Sequence, residues 1–152
     1  MEKELKVAAL KNGTVIDHLP SDKVFKVISV LHLKHYENQI SIGINLDSKR
    51  LGTKGIIKIA DRFLVETEVN KIALIAPQAK INIIKDYEVV EKFNLILPHE
   101  IKGMMSCVNP KCITNNEAVT TRFYVNRHDK KTMLKCHYCE REFNQEEGKL
   151  IK

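Results

Sequence analysis

The chain has 152 residues, of which 43% are hydrophobic and 29% charged, and these ordinary values exclude a disordered polymer. The length allows one ordinary domain or two small ones. The net charge of +6 is spread along the sequence without a dense basic stripe, so charge alone does not predict nucleic-acid binding.

Neither a membrane span nor a secretory signal is predicted. The longest apolar runs, such as residues 72–77, are far shorter than the roughly 20 residues that a spanning helix needs. The first residues alternate in charge and contain no apolar segment. We therefore expect a cytoplasmic protein without a membrane partner, in which clustered cysteines are metal ligands.

Before residue 99 the pattern alternates between strands and helices. Strands are predicted at residues 14–19, 40–46, 56–59, 79–85 and 87–93, helices at 22–35 and 66–76, and a loop at 47–55. This order predicts an α+β fold, in which a mostly antiparallel sheet carries both helices on one face. The split βαβ arrangement of a ferredoxin-like α/β sandwich fits residues 1–98 well.

Residues 99–152 are predicted to form a second, small all-β domain. Short strands are expected at residues 120–125 and 132–135. A domain of about 50 residues with so little apolar content usually needs a disulfide or a metal ion to be stable.

Four cysteines of this domain are candidate ligands for a stabilising metal ion: Cys107, Cys112, Cys136 and Cys139. Two close pairs, separated by a gap of hairpin size, suit a tetrahedral site in which each pair comes from one tight turn. We predict one structural Zn²⁺ per chain, because four thiolates leave no open position for water or substrate. Rubredoxin-type iron has the same geometry, whereas disulfides would need an oxidising compartment. His128 and His137 are not required as ligands and are expected at the surface.

No motif of catalysis is present, and the chain is not expected to be an enzyme. The sequence contains no phosphate-binding glycine loop, nucleophile elbow or H-E-x-x-H. Asp17 and His18 are the only tempting acid–base pair, but neighbours in a regular strand face opposite sides of the sheet and are not expected to act on one another. Lys58 interrupts an isoleucine-rich strand, and Lys92 ends the last strand of the first domain.

The chain resembles, over nearly its whole length, the regulatory chain of aspartate carbamoyltransferase. The resemblance is carried by residues 13–18 (GTVIDH), 42–46 (IGINL), 57–59 (IKI), 76–79 (APQA), 87–90 (YEVV), Cys107-x4-Cys112 and 134–140 (LKCHYCE). It implies a nucleotide-binding allosteric domain at residues 1–98. It also implies a rubredoxin-like zinc domain at residues 99–152 that docks on the catalytic chain.

The resemblance further implies partners and effectors. Regulatory chains pair as homodimers and link catalytic trimers in pyrimidine biosynthesis. CTP inhibits and ATP activates the best-known members, and UTP acts together with CTP in some.

By position, the resemblance assigns residues to a nucleotide site. Lys92 and His18 match residues near the triphosphate, Lys58 one that contacts base and ribose, and Asp17 an acidic neighbour of the ribose and the lysines. The pocket walls and backbone contacts fall on Val7, Ala9, Leu10, Ile84, Tyr87 and Val89. Ala8 stands where a well-known member has an acidic side chain near the base.

Contact with the catalytic chain is implied for Asn109, Lys111 and Glu140, where Lys111 replaces an amide. Two other classes of function remain as alternatives. One is a zinc-ribbon protein that binds nucleic acid, which would predict binding that weakens steeply with salt. The other is a small enzyme that uses Asp17 and His18. We expect neither nucleic acid as a partner nor catalysis.

Overall fold

The computed structural model describes residues 9–49, 52–128 and 131–151. The chain divides into two compact units, Met1–Ile96 and Leu97–Lys152. The first is a mixed sheet-and-helix unit and the second consists mainly of short strands. The predicted α+β fold class is confirmed.

The described part of the first unit consists of five strands, two helices and short 3₁₀ turns. The elements are β1 (Gly13–Leu19), α1 (Val24–Val30), β2 (Ile40–Ser48), β3 (Gly52–Ala60), α2 (Glu66–Ile75), β4 (Lys80–Lys85) and β5 (Glu88–Asn94). The sheet order is β2-β3-β1-β4-β5, and every neighbouring pair is antiparallel. The first four strands have the ferredoxin-like order, and β5 extends the sheet at one edge.

One face of this sheet is covered by the helices. Ile16 and Ile57 stand opposite each other in β1 and β3 and are fully buried. Gly55 lies on the same face as Ile57, and a Cβ atom added there would come within 2.2 Å of Val24 Cγ2 of α1. This close approach identifies the face on which α1 packs, and glycine at position 55 is what permits it.

Among residues 9–49 and 52–96, no helix lies on the other face, which has a smaller apolar cluster of its own. Val15, Ile56 and Ile84 form that cluster, with Leu10 and Leu46 packed against it. We call this surface the open face of the sheet. Because its apolar cluster is small, polar side chains on either side of the cluster stay accessible.

Two of the predicted boundaries are wrong. The loop expected at residues 47–55 is instead the end of a hairpin, since β2 continues to Ser48 and β3 begins at Gly52. Charged and glycine residues suggested a loop, but tertiary pairing overrides that propensity. The helix expected at residues 22–35 is α1 flanked by two 3₁₀ turns, and it is interrupted where His32 adopts a left-handed conformation, with φ of 54°.

A bulge in β1 overturns a third expectation. The pairing of β1 with β3 shifts register between Ile16 and Leu19, and His18 has a positive φ of 59°. Such a bulge redirects a side chain that would otherwise alternate. His18 Nδ1 therefore lies 3.6 Å from Asp17 Oδ2, and the two side chains are not on opposite faces.

The second unit is a set of short strands. The described elements are β6 (Glu100–Lys102), β7 (Met105–Ser106), α3 (Ile113–Asn116), β8 (Arg122–His128), β9 (Lys131–Cys136), β10 (Glu142–Asn144) and β11 (Lys149–Leu150). Four of them form a sheet in the order β10-β9-β8-β6, and β11 pairs with β7. Phe123 and Phe143 meet edge to face at 5.5 Å between ring centroids in the small core.

None of the helices in the described ranges is both long enough and apolar enough to cross a membrane.

Candidate metal centre and ligand pocket

The first cysteine pair lies on a turn that is held by side-chain amides. Cys107 and Cys112 flank this turn, in which the Cys112 N–H donates to Asn109 O at 3.0 Å. Asn115 Nδ2 donates to Cys107 O at 2.9 Å and to Asn109 O at 2.7 Å. Asn116 Nδ2 donates to Cys112 O at 2.9 Å. These two asparagines, on the short helix α3, fix the turn and were not identified from the sequence.

The second pair lies on the turn after β9. The Cys136 N–H donates to Arg141 O, and the Glu140 N–H donates to Cys136 O, each at 3.0 Å. Glu140 closes the turn in a left-handed conformation with φ of 62°. The backbone therefore curls around Cys136 and Cys139 and points both thiols toward the first turn.

The four sulfurs form a compact cluster. All of them lie within 4.8 Å of one another. The Sγ atoms of Cys107 and Cys139 are 3.7 Å apart, as are those of Cys112 and Cys136. Zinc–sulfur bonds of about 2.3 Å in a tetrahedron place neighbouring sulfurs about 3.8 Å apart. The cluster therefore has the size of a four-thiolate metal site.

The surroundings of the thiols shift their acidity in different directions. Burial raises the pKa of Cys107 to about 12, and burial also raises the pKa of Cys136. Burial of Cys139 acts in the same direction, but hydrogen bonds from the Arg141 backbone and the Asn109 side chain outweigh it and lower its pKa to about 7. A bound cation would replace these protons, because only the thiolate is a metal ligand.

The residues predicted to contact the catalytic chain, Asn109, Lys111 and Glu140, belong to the two cysteine turns. Asn109 accepts from the Lys111 N–H at 3.0 Å, and Lys111 and Glu140 are exposed. His128 and His137 are exposed and are not members of the four-sulfur cluster. His137 Nδ1 lies 2.6 Å from the Tyr124 hydroxyl.

In the first unit, strand register brings predicted residues onto the open face. Val15 is paired with Lys58 of β3 and with Asn82 of β4, and Asn82 is paired with Lys92 of β5. Opposed residues in antiparallel strands direct their side chains to the same face. Lys58 and Lys92 are therefore on the open face, and three strand spacings separate them by about 14 Å.

A pocket of ≈ 280 Å³ opens on this face at one end of β1. It is lined by Ala9, Leu10, Lys11, Asn12, Gln39, Ser41, Lys58, Ala60, Asp61 and Tyr87. Four of the residues predicted from the resemblance, Ala9, Leu10, Lys58 and Tyr87, are thus neighbours in one cavity.

The turn between β4 and β5 forms a wall of this pocket. Asp86 and Tyr87 both have positive φ values, 51° and 66°, which suit a two-residue hairpin turn. The Tyr87 N–H donates to Lys11 O at 3.0 Å, and the Asp86 N–H donates to Asn12 Oδ1 at 3.1 Å. The turn is therefore tied to the segment that precedes β1.

Ile84 and Val89 flank this turn without lining the pocket. They are paired across β4 and β5 and lie on the open face. Ile84 belongs to the apolar cluster there, and Val89 is 48% exposed.

A charged cluster lies at the other end of β1. Lys54 Nζ is 2.9 Å from Asp17 Oδ1, and the His18 N–H donates to Asp17 Oδ1 at 2.7 Å. Lys54 was missed in the sequence, although its spacing of four residues from Lys58 on one strand places both on the same face. The expected loop at residues 47–55 concealed this periodicity.

Asp17, His18 and Lys92 are not among the residues that line the pocket. Val7, which was predicted as a pocket wall, and Ala8 lie outside the described residues.

Comparison with known proteins accounts for both units. Residues 5–96 match the family described as aspartate carbamoyltransferase regulatory chain, allosteric domain. Residues 99–149 match its metal binding domain. The chain belongs to the family of aspartate carbamoyltransferase regulatory chains.

Similar proteins named aspartate carbamoyltransferase regulatory chain occur in distant organisms. One from Bacteroides fragilis is 56% identical over 147 residues, which cover 97% of this chain and 95% of the relative. One from Phocaeicola vulgatus is 55% identical and covers 97% of this chain and 94% of the relative. One from Pyrococcus abyssi is 54% identical and covers 95% of each.

As a regulatory chain, this protein is the non-catalytic subunit of the enzyme, and the expectation that it is not an enzyme is confirmed. Its first unit corresponds to the allosteric domain, and the four cysteines lie in its metal-binding domain.

Proposed function

We propose that this regulatory chain senses CTP and ATP on the open face of its first unit, and that UTP acts together with CTP. The observation that carries the proposal is the arrangement of this face. The pocket containing Lys58 lies at one end of β1, and a cluster of Asp17, His18 and Lys54 lies at the other. Lysine charges without a phosphate-binding loop suit a site that holds a triphosphate and does not cleave it.

The size of the pocket supports a division of the ligand between its two ends. At ≈ 280 Å³ the pocket is at the lower limit of ligand cavities, which are roughly 300–1,000 Å³. It therefore suits the nucleoside, while the phosphates run along β1 toward His18 and Lys54. The four residue steps from Gly13 to Asp17 span about 13 Å, enough for an extended triphosphate.

Individual roles follow from this orientation. Lys58, at the middle of the face, contacts base and ribose, and Lys92 and His18 act on the phosphates. Asp17 holds Lys54 and His18 in place. Val7, Ala9 and Leu10 cover the nucleoside, and Ile84, Tyr87 and Val89 support it through packing and backbone groups.

For the second unit we propose one structural Zn²⁺, held by Cys107, Cys112, Cys136 and Cys139. Four thiolates at tetrahedral spacing form a closed site, in which the metal supplies folding energy and no reaction. Elemental analysis of the purified chain distinguishes zinc from iron, because both metals accept this geometry.

The proposed partners are a second regulatory chain and the catalytic chain. The zinc domain, residues 99–152, docks on the catalytic chain through the turn region of Asn109, Lys111 and Glu140. The nucleotide-binding domain, residues 1–98, pairs with its copy. The protein acts in pyrimidine biosynthesis in the cytoplasm, where a reducing environment keeps the thiols available to the metal.

Calorimetric titration of the metal-loaded chain with CTP and with ATP tests the proposal. We expect saturable binding of one nucleotide per chain, weakened about tenfold or more in Lys58→Ala, with unchanged metal content and assembly. Lys26→Ala, an exposed change on α1, is the matched control and should bind as the unaltered chain does.

A random oligonucleotide is titrated in parallel at two salt concentrations. Tight, salt-sensitive binding of the oligonucleotide without binding of CTP or ATP would reject the sensor in favour of a nucleic-acid-binding protein. Regulation itself requires that each nucleotide bind the two states of the holoenzyme with different affinity, so the titration is repeated with the catalytic chain present.

A further inference from the structure

Two of the polar side chains that line the pocket and have no assigned role lie at the start of β2. Gln39, directly before β2, and Ser41, in β2, line the same cavity as Lys58 and Tyr87. Neither the Gln39 amide nor the Ser41 hydroxyl forms a hydrogen bond with any residue in the described ranges. Polar groups that line a cavity without a protein partner are free to bond a ligand.

Strand register fixes where each of these two residues lies along β1. Ser41 is paired with Lys58, at the level of Val15 in β1. The backbone carbonyl oxygen of Gln39 accepts from the Ala60 N–H at 3.0 Å, and Ala60 is paired with Gly13. Gln39 is therefore one step farther than Ser41 from the charged cluster at Asp17.

Among the remaining polar side chains that line the cavity, that of Asn12 already has a hydrogen-bond partner. Asn12 Oδ1 accepts from the Asp86 N–H, which fastens the β4–β5 turn. The backbone carbonyl oxygen of Asn12 accepts from the Asp61 N–H at 2.9 Å. The hydrogen bonds of Asn12 thus hold the pocket wall in place, whereas Gln39 and Ser41 offer both donors and acceptors to a bound ligand.

We infer that this end of β2 reads the nucleoside, with Ser41 hydrogen-bonding a ribose hydroxyl and Gln39 hydrogen-bonding the edge of the base. The inference rests on the proposed nucleotide site, with the phosphates directed toward Asp17. In that orientation the ribose lies at the level of Lys58 and Ser41, and the base lies beyond it, at the level of Gln39 and Ala60.

The chemistry of the two side chains suits these roles. A serine hydroxyl donates and accepts, as ribose hydroxyls also do. The Gln39 amide presents a donor beside an acceptor and can turn over, so it matches the amino-and-ring-nitrogen edge of cytosine or adenine and the reversed edge of uracil. Gln39 thus explains how one pocket takes several bases, and its replacement by an acceptor alone should create selectivity.

The ribose assignment is tested with CTP and its 2′,3′-dideoxy analogue, titrated into the full, metal-loaded chain. Ser41→Ala should weaken CTP binding about two- to tenfold and leave binding of the dideoxy analogue unchanged, because the lost bond exists only with CTP. Ser29→Ala, an exposed change on α1, is the control and should alter neither affinity. An unchanged ratio of the two affinities in Ser41→Ala overturns this assignment.

The base assignment is tested with Gln39→Glu. A carboxylate accepts from the amino group of cytosine but has no donor for the carbonyl of uracil, so the CTP:UTP affinity ratio should rise about two- to tenfold. Gln78→Glu adds the same charge at an exposed position after α2 and should leave the ratio unchanged. Equal ratios in both variants overturn the assignment. Failure of the unaltered chain to bind any nucleotide would instead reject the proposed function, which is a separate result.

Discussion

Lys54 Nζ lies 2.9 Å from Asp17 Oδ1, so an ion pair joins two neighbouring strands at the end of the open face. Both side chains are largely shielded, with 22% and 20% of their surface exposed. The pair restrains a lysine that would otherwise be flexible, and it does so where we propose that the phosphates end.

Lys54→Met should therefore weaken CTP binding more than CMP binding. Loss of one charge-assisted contact to a phosphate corresponds to roughly 1.5–3 kcal/mol for the triphosphate. Calorimetry with the two nucleotides measures the difference. Lys26→Met serves as the control, and an equal loss of CTP and CMP affinity would show that Lys54 does not act on the outer phosphates.

Removing the metal should unfold the second unit and leave the first folded. The small core around Phe123 and Phe143 cannot be stable without the cross-link between the two cysteine turns. Hydrogen exchange after treatment with a strong chelator should show loss of protection in β8 and β9 and retained protection in β1, β3 and β4. Protection of β8 and β9 that survives complete metal removal would contradict this prediction.

Metal binding should release protons and strengthen as pH rises. The pKa of Cys107 is raised to about 12 and that of Cys136 is also raised, both by burial, so at pH 7 each of these thiols holds a proton that the cation must displace. Cys139, with a pKa lowered to about 7, contributes only about half a proton. Titrations of the metal in buffers with different ionisation enthalpies count these protons. A count near zero at pH 7 would contradict the prediction.

Asn115→Ala should weaken the metal site without removing a ligand. Asn115 Nδ2 bonds the carbonyl oxygens of Cys107 and Asn109, and it thereby fixes the turn that aims the first pair of thiols. Loss of such support typically costs about 10- to 100-fold in metal affinity. Competition with a chelator of known affinity measures the change, with Asn126→Ala as an exposed control on β8. Equal affinity in the two variants would rule out this supporting role.

Much of the fold followed from periodicity. Alternating residues in β2 and the helical spacing in α2 were sufficient to place these elements, since each buries one face that its own sequence defines. The errors at residues 47–55 and at His32 arose where pairing within the β2–β3 hairpin or a single left-handed residue decided the backbone conformation. The secondary-structure propensities of the residues predict neither the strand pairing nor the left-handed conformation.

The sequence by itself predicted the four-cysteine site that the structure contains, because the two cysteines of each pair are close in the chain and must also be close in space. It did not determine how Lys58, Lys92 and the Asp17–Lys54 pair share one face. Their positions depend on a sheet order in which β1 lies between β3 and β4, and on a bulge that turns His18 toward Asp17. Spacing in the sequence determines which residues are close along the chain, whereas strand order and register determine which residues are neighbours on different strands. Strand order and register depend on the packing of the whole unit.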